Sequence, residues 1–449
     1  MRVALIGPVP PRLGGATPGG VATHQVYLAV GLAAAGVSAP LLATNARQSL
    51  IDPHLLREVD PHPPSPPLPV PGRGGSRVVP VPEGRGGGSQ SIPASGPWAD
   101  QSFPMAVVGR GWTSFDRLPT YAAFLARSRG RGSRREVLRH LLWYRRFLGS
   151  VRPEVIHVQH PLERCLYTRM VQRLEGWRVP LVVTAHSLFG EHAEDTIHSL
   201  MAPNLRAADR VIAVSEHIAE QAVQLGVARD RVRVIRSGVD TERFRPRDRQ
   251  HARRRLGMDA EVPVALFVGN LEPRKQVDVL LRAMRCVRQR VPRAALVIVG
   301  SGRSAGADDQ TDRLVGLSRD LDLADAVRFV GPVDDQQLLD YYAAANVFAL
   351  ASSSEAQGIV ALEAMACGLP VVATAVGGLL GTIDAGRTGF LVPAGETLPL
   401  AQRLVHVLQD GHRAEAMGAA ARRSVERAFS WPRAVEATIR VYREVLACR

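Results

Sequence analysis

The sequence predicts an α/β protein of the open-sheet kind, and three observations carry that expectation. Short apolar runs ending in glycine recur along the chain, at residues 2–6 before Gly7, 262–268 before Gly269 and 295–299 before Gly300. Each is followed by a loop and then by a segment of helical length, the alternation of strands with crossover helices. The third observation is size: 449 residues, 46% of them hydrophobic, suffice for two or three domains with their own cores.

Taken in order, residues 2–6 read as a buried strand, and the glycine-rich loop 7–20 leads into a helix at about 21–35. Such a loop between a first strand and a first helix is where α/β folds hold phosphates. It lacks G-x-G-x-x-G, which argues against a nicotinamide site. Residues 26–43 are uncharged over a length that raises the transmembrane question, but Gly36 and Pro40 split them into a helix and a strand. Residues 52–97 crowd proline and glycine together, so they read as a long mobile loop rather than a regular element. Residues 127–146 hold eight arginines and one acid, interleaved with Leu138, Leu141, Leu142, Trp143 and Tyr144. Two readings stand here: a basic amphipathic helix on an anionic membrane, and a sheet-covering helix whose arginines are solvated.

Residues 154–160 and 180–186 read as strands carrying histidines at their carboxyl ends, where His160 and His186 can converge on one crevice. Glu191 and His192 follow without a ligand-spaced partner set, so a metal site is not expected. A strand at 210–215, a helix at 216–224 and a strand at 232–236 close a first domain, 1–237. Residues 238–260 form a linker, 261–428 a second domain, and 429–449 a terminal helix that returns toward the first domain.

In the second domain the loop 269–276 places Arg274 and Lys275 before a helix at 277–290. A cation pair at a helix N-terminus opposes the helix dipole, so a negative group should compensate, and a diphosphate would do so. Lys275 is the only lysine in the chain. Gly300, Gly302 and Gly306 imitate a dinucleotide fingerprint with the wrong spacing. Asp320-Leu-Asp322 matches the short D-x-D pattern of metal-dependent sugar transferases, but its place between a helix and a strand reads as a turn.

Chemistry concentrates in residues 352–378, which read as loop, helix, strand and glycine pair. Ser352 to Ser354 offer N-cap hydroxyls for a helix over 358–367, with Gly368 and Pro370 ending it. Gly358 lets the backbone approach an anion at the helix start. Glu355 and Glu363 invite an acid/base reading, yet on one helix they would stand roughly 12 Å apart. Glycosidase pairs sit about 5 to 9.5 Å apart.

The net charge is +14, and the 56 basic residues are arginine apart from Lys275. Such a surplus attracts nucleic acid, anionic membranes or phosphorylated substrates. Aromatics are only 5%, with no RNP-like or helix-turn-helix signature, which argues against nucleic acid. Four cysteines without C-x-x-C argue against zinc and disulfides and fit a reducing cytoplasm.

Together, S-x-x-E-x7-E followed by A-M-A-C-G-L-P-V-V-A-T and a glycine pair, with the V-G-N-L-E-P-R-K loop, resemble the retaining nucleotide-sugar glycosyltransferases of the GT-B fold, family 4 or group 1. The similarity covers nearly the whole chain except about 52–132, with His186, Ser237-Gly-Val-Asp240 and Phe429-Ser-Trp431 as weaker supports. The resemblance implies two Rossmann-like domains facing across a cleft and a UDP- or GDP-sugar as donor. It further implies a carbohydrate, lipid-linked or small-molecule acceptor, and neither a cofactor nor a metal. It assigns Lys275, with Arg274, to the donor diphosphate and Glu363 to the ribose. Glu355 and the backbone at Gly358 and Ile359 would hold the sugar, Gly19 and Gly20 would approach the diphosphate, and His186 would lie close to the reacting centre. The chain departs from the family pattern at Asn270, where arginine is common, and at Glu355-Ala-Gln-Gly358, where Glu-Gly-Phe-Gly is usual. A sugar-nucleotide epimerase and a non-catalytic sugar-nucleotide-binding module are the alternative functions.

Overall fold

The computed structural model describes residues 1–8, 20–43, 57–58, 104–107, 134–188, 201–302 and 310–448. Apart from the pair 57–58, the proline- and glycine-rich insertion lies outside the described residues, as do Gly19, Glu191, His192 and Gly306. Contacts divide the chain into two compact units, Met1–Ile156 with Tyr167–Val179 and His157–Leu166 with Pro180–Arg449.

In the first unit, strand β1 (Val3–Gly7) is buried along its whole length and pairs in parallel with β2 (Leu41–Ala43), Leu5 opposite Leu41. The antiparallel β3 (Arg57–Glu58) and β4 (Pro104–Val107) follow, β4 pairing in parallel with β2. The helix Gly20–Ala34 joins β1 to β2. Its Val26, Leu28, Ala29, Val30 and Leu32 are all buried, so its lack of charge serves the core. Among the described residues no helix is long and apolar enough to cross a membrane.

The arginine-rich segment enters the described structure as the helix Arg134–Val151. Leu141, Trp143, Tyr144, Phe147 and Leu148 are buried. Arg145 pairs with Glu175 at 3.1 Å, and the Arg139 guanidinium lies 5.1 Å over the Trp143 ring. The apolar face is therefore buried inside the protein.

The division between the units falls within β5 (Val155–Gln159). The second unit holds two parallel sheets or parts of sheets. In the first, β6 (Leu181–Ala185), β7 (Arg210–Ala213) and β8 (Val232–Val234) pair in sequence. The helix Glu216–Gln224 between β7 and β8 starts at Ser215, whose hydroxyl accepts from the Ile218 N–H at 3.3 Å.

The other sheet is built from β9 (Val264–Val268), β10 (Ala295–Val299), β11 (Val327–Gly331), β12 (Val347–Leu350), β13 (Val371–Thr374) and β14 (Gly389–Val392). Its order is β11-β10-β9-β12-β13-β14, with parallel pairing throughout. Continuous apolar runs such as Val-Ala-Leu-Phe-Val suit strands covered on both faces. The helix Val277–Arg288 packs with Val277, Leu280, Leu281, Met284 and Val287 buried, the spacing of one helical face. Strand order reverses between β9 and β12, and at such a switch point loops from the carboxyl ends diverge to leave a crevice.

Asp320 ends the helix Thr311–Asp320 and Asp322 turns the chain at φ +55° ahead of β11, so the D-x-D pair is the turn its position suggested. The terminal helix Trp431–Ala447 opens with Pro432 in its first turn, a position that needs no N–H donor. Just before it, the Val239 N–H donates to the Phe429 carbonyl at 2.9 Å. The Ser-Gly-Val-Asp and Phe-Ser-Trp motifs therefore meet each other.

Candidate active site

The loops after β9 and β12 flank the switch point and carry the charged residues singled out by the sequence. After β9 the chain makes a short 3-10 turn, Pro273–Lys275, then passes Gln276 at φ +45° into the helix Val277–Arg288. After β12 it runs through Ser352, Ser353 and Glu355 to Gly358 and the helix Ile359–Ala366. Backbone joins the two loops, the Ser353 N–H donating to the Arg274 carbonyl at 2.8 Å.

This stitching brings Lys275 onto Glu355. Lys275 Nζ donates to Glu355 Oε1 at 2.5 Å, and the two residues are each only 7% exposed. The Ser352 hydroxyl donates to the same oxygen at 2.9 Å, and an Arg274 guanidinium nitrogen lies 4.0 Å from Glu355 Oε2. Arg274 also pairs with Glu272 at 2.8 Å, and Asn270 donates to Glu272 at 3.2 Å. The cations expected to await a diphosphate thus have protein carboxylates beside them.

The expected serine capping is corrected by these contacts. Ser352 and Ser353 lie too far ahead of the helix Ile359–Ala366; their hydroxyls bond Glu355 and the Arg274 carbonyl, and Gly358 at φ +81° takes the N-cap without a side-chain bond. The glycine pair explains why the loop is held so closely. A Cβ at Gly377 would collide with the Glu355 carbonyl oxygen, and one at Gly378 with that of Ala356. The Gly378 N–H donates to the Glu355 carbonyl at 2.8 Å.

Gln357, where the sequence departs from the family pattern, is a clamp. Its carbonyl accepts from the Ser237 N–H and its amide donates to the Ser237 carbonyl, both at 2.9 Å. It is 4% exposed and Ser237 2%. The residue number was visible in the sequence but its partner, 120 positions away, was not.

Glu363 projects from the helix Ile359–Ala366 and accepts a 2.8 Å hydrogen bond from the Tyr342 hydroxyl. Burial of the carboxyl group raises its pKa to about 7, while the Tyr342 hydrogen bond and Arg243 pull the other way. The residue as a whole is partly exposed even though its carboxyl end is enclosed. Burial, helped by the Glu363 carboxylate, holds the Tyr342 phenol well above its ordinary value.

His186 follows β6 directly, and its Nε2 lies 2.8 Å from Gln159 Oε1 at the end of β5. His160 reaches Ser187, 3.3 Å from Nε2 to Oγ, so the two strand ends lie side by side. Gly20 is the first residue of the helix Gly20–Ala34 in the first unit. Lys275, Glu355 and Arg274 therefore form one cluster, with Gly358 and Ile359 at the adjoining helix start. Glu363 has its own contact with Tyr342, and His186 its own with Gln159. Ser352, Gln357, Tyr342 and Gln159 are the additions of the structure. Of these, Ser352 in the S-x-x-E pattern and Gln357 as a departure from the family pattern carried a local signal, but the bonds they make did not. Among the described residues no group of three or more His, Cys, Asp or Glu is placed to hold a metal ion.

Comparison with known proteins gives the family. Residues 248–424 match the profile described as Glycosyl transferases group 1, and residues 105–243 that of Glycosyltransferase Family 4. The chain belongs to this family and has its α/β GT-B fold.

Among its relatives is the D-inositol 3-phosphate glycosyltransferase of Acidothermus cellulolyticus, 37% identical over 331 residues that cover 70% of each chain. The protein of the same name from Saccharomonospora viridis is 39% identical over 287 residues, 61% of this chain and 66% of the relative. The chain thus spans about two thirds of the relatives it matches. Among solved structures, sucrose-phosphate synthase from Thermosynechococcus elongatus superposes with a TM-score of 0.70 at 25% identity, covering 100% of both chains. Anabaena HepE, solved with UDP and glucose, gives 0.69 at 19% identity with the same coverage and speaks for the fold.

Proposed function

We propose that the protein transfers a sugar from a UDP- or GDP-sugar to an acceptor hydroxyl, with retention of anomeric configuration and without a metal. The observation that carries this reading is the buried cluster of Lys275, Glu355 and Ser352, with the partly exposed Arg274 at its edge, beside the helix start at Gly358 and Ile359. As the bond between the anomeric carbon and the diphosphate oxygen breaks, negative charge grows on the leaving diphosphate. Lys275, Arg274 and the N–H groups at the helix start favour that charge, and so favour the transition state over the bound donor. Glu355 orients sugar hydroxyls and favours positive charge at the anomeric carbon. Glu363 takes the ribose hydroxyls and His186 stands close to the reacting centre. The acceptor oxygen bonds the anomeric carbon on the face the diphosphate leaves, and its proton passes to the departing phosphate.

The relatives' name makes inositol 3-phosphate the first acceptor to try. Cysteines Cys165, Cys286, Cys367 and Cys448 are all free, which supports a cytoplasmic setting. Thermal-shift screening of UDP- and GDP-sugars identifies the donor, since a bound donor stabilises by mass action. Transfer by the wild type and by Lys275→Ala and Glu355→Ala then tests the site. Both variants are expected to lose transfer, and full activity in both refutes the assignment.

A further inference from the structure

A run of buried polar side chains ends at His186. The Tyr442 hydroxyl, on the terminal helix, lies 2.6 Å from His157 Nδ1 in β5. His157 Nε2 is 2.7 Å from Thr184 Oγ1 and a longer 3.4 Å from Gln159 Nε2. Gln159 Oε1 then lies 2.8 Å from His186 Nε2. Tyr442, His157, Thr184 and Gln159 are fully buried, and His186 is 8% exposed.

The donor and acceptor chemistry of these groups ties their protons together. A glutamine carbonyl only accepts, so His186 Nε2 carries hydrogen and its Nδ1 is the acceptor. The Gln159 amide only donates, so His157 Nε2 accepts, also from Thr184, and His157 Nδ1–H donates to Tyr442. Turning the Gln159 amide over reverses the sequence, making His157 Nε2 the donor and His186 Nε2 the acceptor. In either arrangement the His157 and His186 tautomers are coupled through Gln159, while the Tyr442 and Thr184 hydroxyls serve both.

Plain packing does not call for this set. Phenylalanine at 442, valine at 184 and leucine at 159 fill similar volumes without desolvating polar groups. What distinguishes the run is where it stops, on a histidine at the carboxyl end of a parallel strand, where open α/β sheets place their ligands. We propose that Gln159, His157 and Tyr442 are positioning residues for His186, holding its ring orientation and coupling its tautomer to that of His157, so that the terminal helix contributes to catalysis without touching substrate. This rests on the reading of His186 as a group at the reacting centre.

The test has two arms. In histidine-selective 15N NMR of the full chain, Tyr442→Phe and Gln159→Leu are expected to change the His186 tautomer signals, assigned by their loss in His186→Ala. Unchanged His186 signals in both variants overturn the proposal whatever the activity. With the donor and acceptor found by screening, both variants are expected to lower kcat by roughly tenfold to a hundredfold with little change in donor KM. Neither is expected to lower it further in a His186→Ala background. Gln159→Glu is expected to recover activity over Gln159→Leu and to move the acid limb of the kcat profile to higher pH, because a carboxylate stabilises the imidazolium. Losses that add to that of His186→Ala, or lowered Tm with unchanged kcat, overturn the relay. Full kcat in His186→Ala, with tautomer signals still responding to Tyr442, overturns instead the role of His186 in the reaction and with it the catalytic meaning of the relay.

Discussion

Replacing Gln357 by leucine keeps the bulk and removes both hydrogen bonds to Ser237. The Ser237 N–H and carbonyl then remain in a site that is 2% exposed, and each buried group left without a partner costs about 1–3 kcal/mol. The expected loss is roughly 2–6 kcal/mol, which at about 2–4 °C per kcal/mol for a unit of this size lowers Tm by roughly 4–24 °C. Gln357→Glu tests the geometry more sharply. Its carboxylate still accepts from the Ser237 N–H but faces the Ser237 carbonyl, to which only the protonated acid can donate. Its folded pKa is therefore raised above the ordinary glutamate value near ~4.3. A raised acid stabilises below the unfolded pKa, and that stability is lost as pH rises through the folded one. Gln357→Glu should melt near the wild type in mild acid and approach Gln357→Leu above neutrality, in scans followed by circular dichroism. A Gln357→Leu Tm within about 1 °C of wild type, too small for two orphaned groups, or a deficit in Gln357→Glu that ignores pH, refutes the clamp.

Glu363 gives a second pH effect with the same sign. Its carboxyl pKa rises from 4.5 to about 7 on folding, so stability is full below about pH 4.5 and declines as pH rises through 7. At ~1.4 kcal/mol per unit this is of order 3 kcal/mol at most, trimmed by the partial exposure of the residue. Urea titrations across that window should show the decline in wild type and a flatter profile in Glu363→Gln; equal slopes in the two count against it. For the buried pair, Lys275→Met or Glu355→Leu alone should cost about 3–5 kcal/mol, and the double variant far less, because only single removal strands a buried charge. Additive losses in that cycle would show the pair is not coupled.

Much of the second unit was legible because its signals are local. Apolar runs ended by glycine gave β9 and β10, and Trp431-Pro432 gave the start of the terminal helix. Lys275 and Glu355 stood out for a similar reason, since each lies in a loop directly after a strand. The serine caps misread the same stretch, because hydroxyls near a helix start have more than one possible acceptor and only the fold selects Glu355 and Arg274. Gln357 with Ser237, Tyr342 with Glu363 and Tyr442 with His157 were hidden because each joins residues far apart in sequence. Nothing in residue spacing reports such a pairing.

The Lys275–Glu355 contact alters how the site's electrostatics work. A lysine 7% exposed needs a counter-charge before any donor arrives, and Glu355, held by Ser352 on the same oxygen, supplies one. The negative group expected to compensate the cations at the helix start is here a protein carboxylate. A donor diphosphate would then share or displace an existing carboxylate rather than fill a bare positive site. Because the proposed role of Glu355 is to meet the sugar, arrival of the diphosphate at Lys275 would free that carboxylate for its ring hydroxyls at the moment the donor is seated. Charge on the lysine and orientation of the glutamate are on this view one linked event. Residues that hold the loop, such as Gln357 and the Gly377-Gly378 pair, would on this view fix the distance over which that exchange takes place.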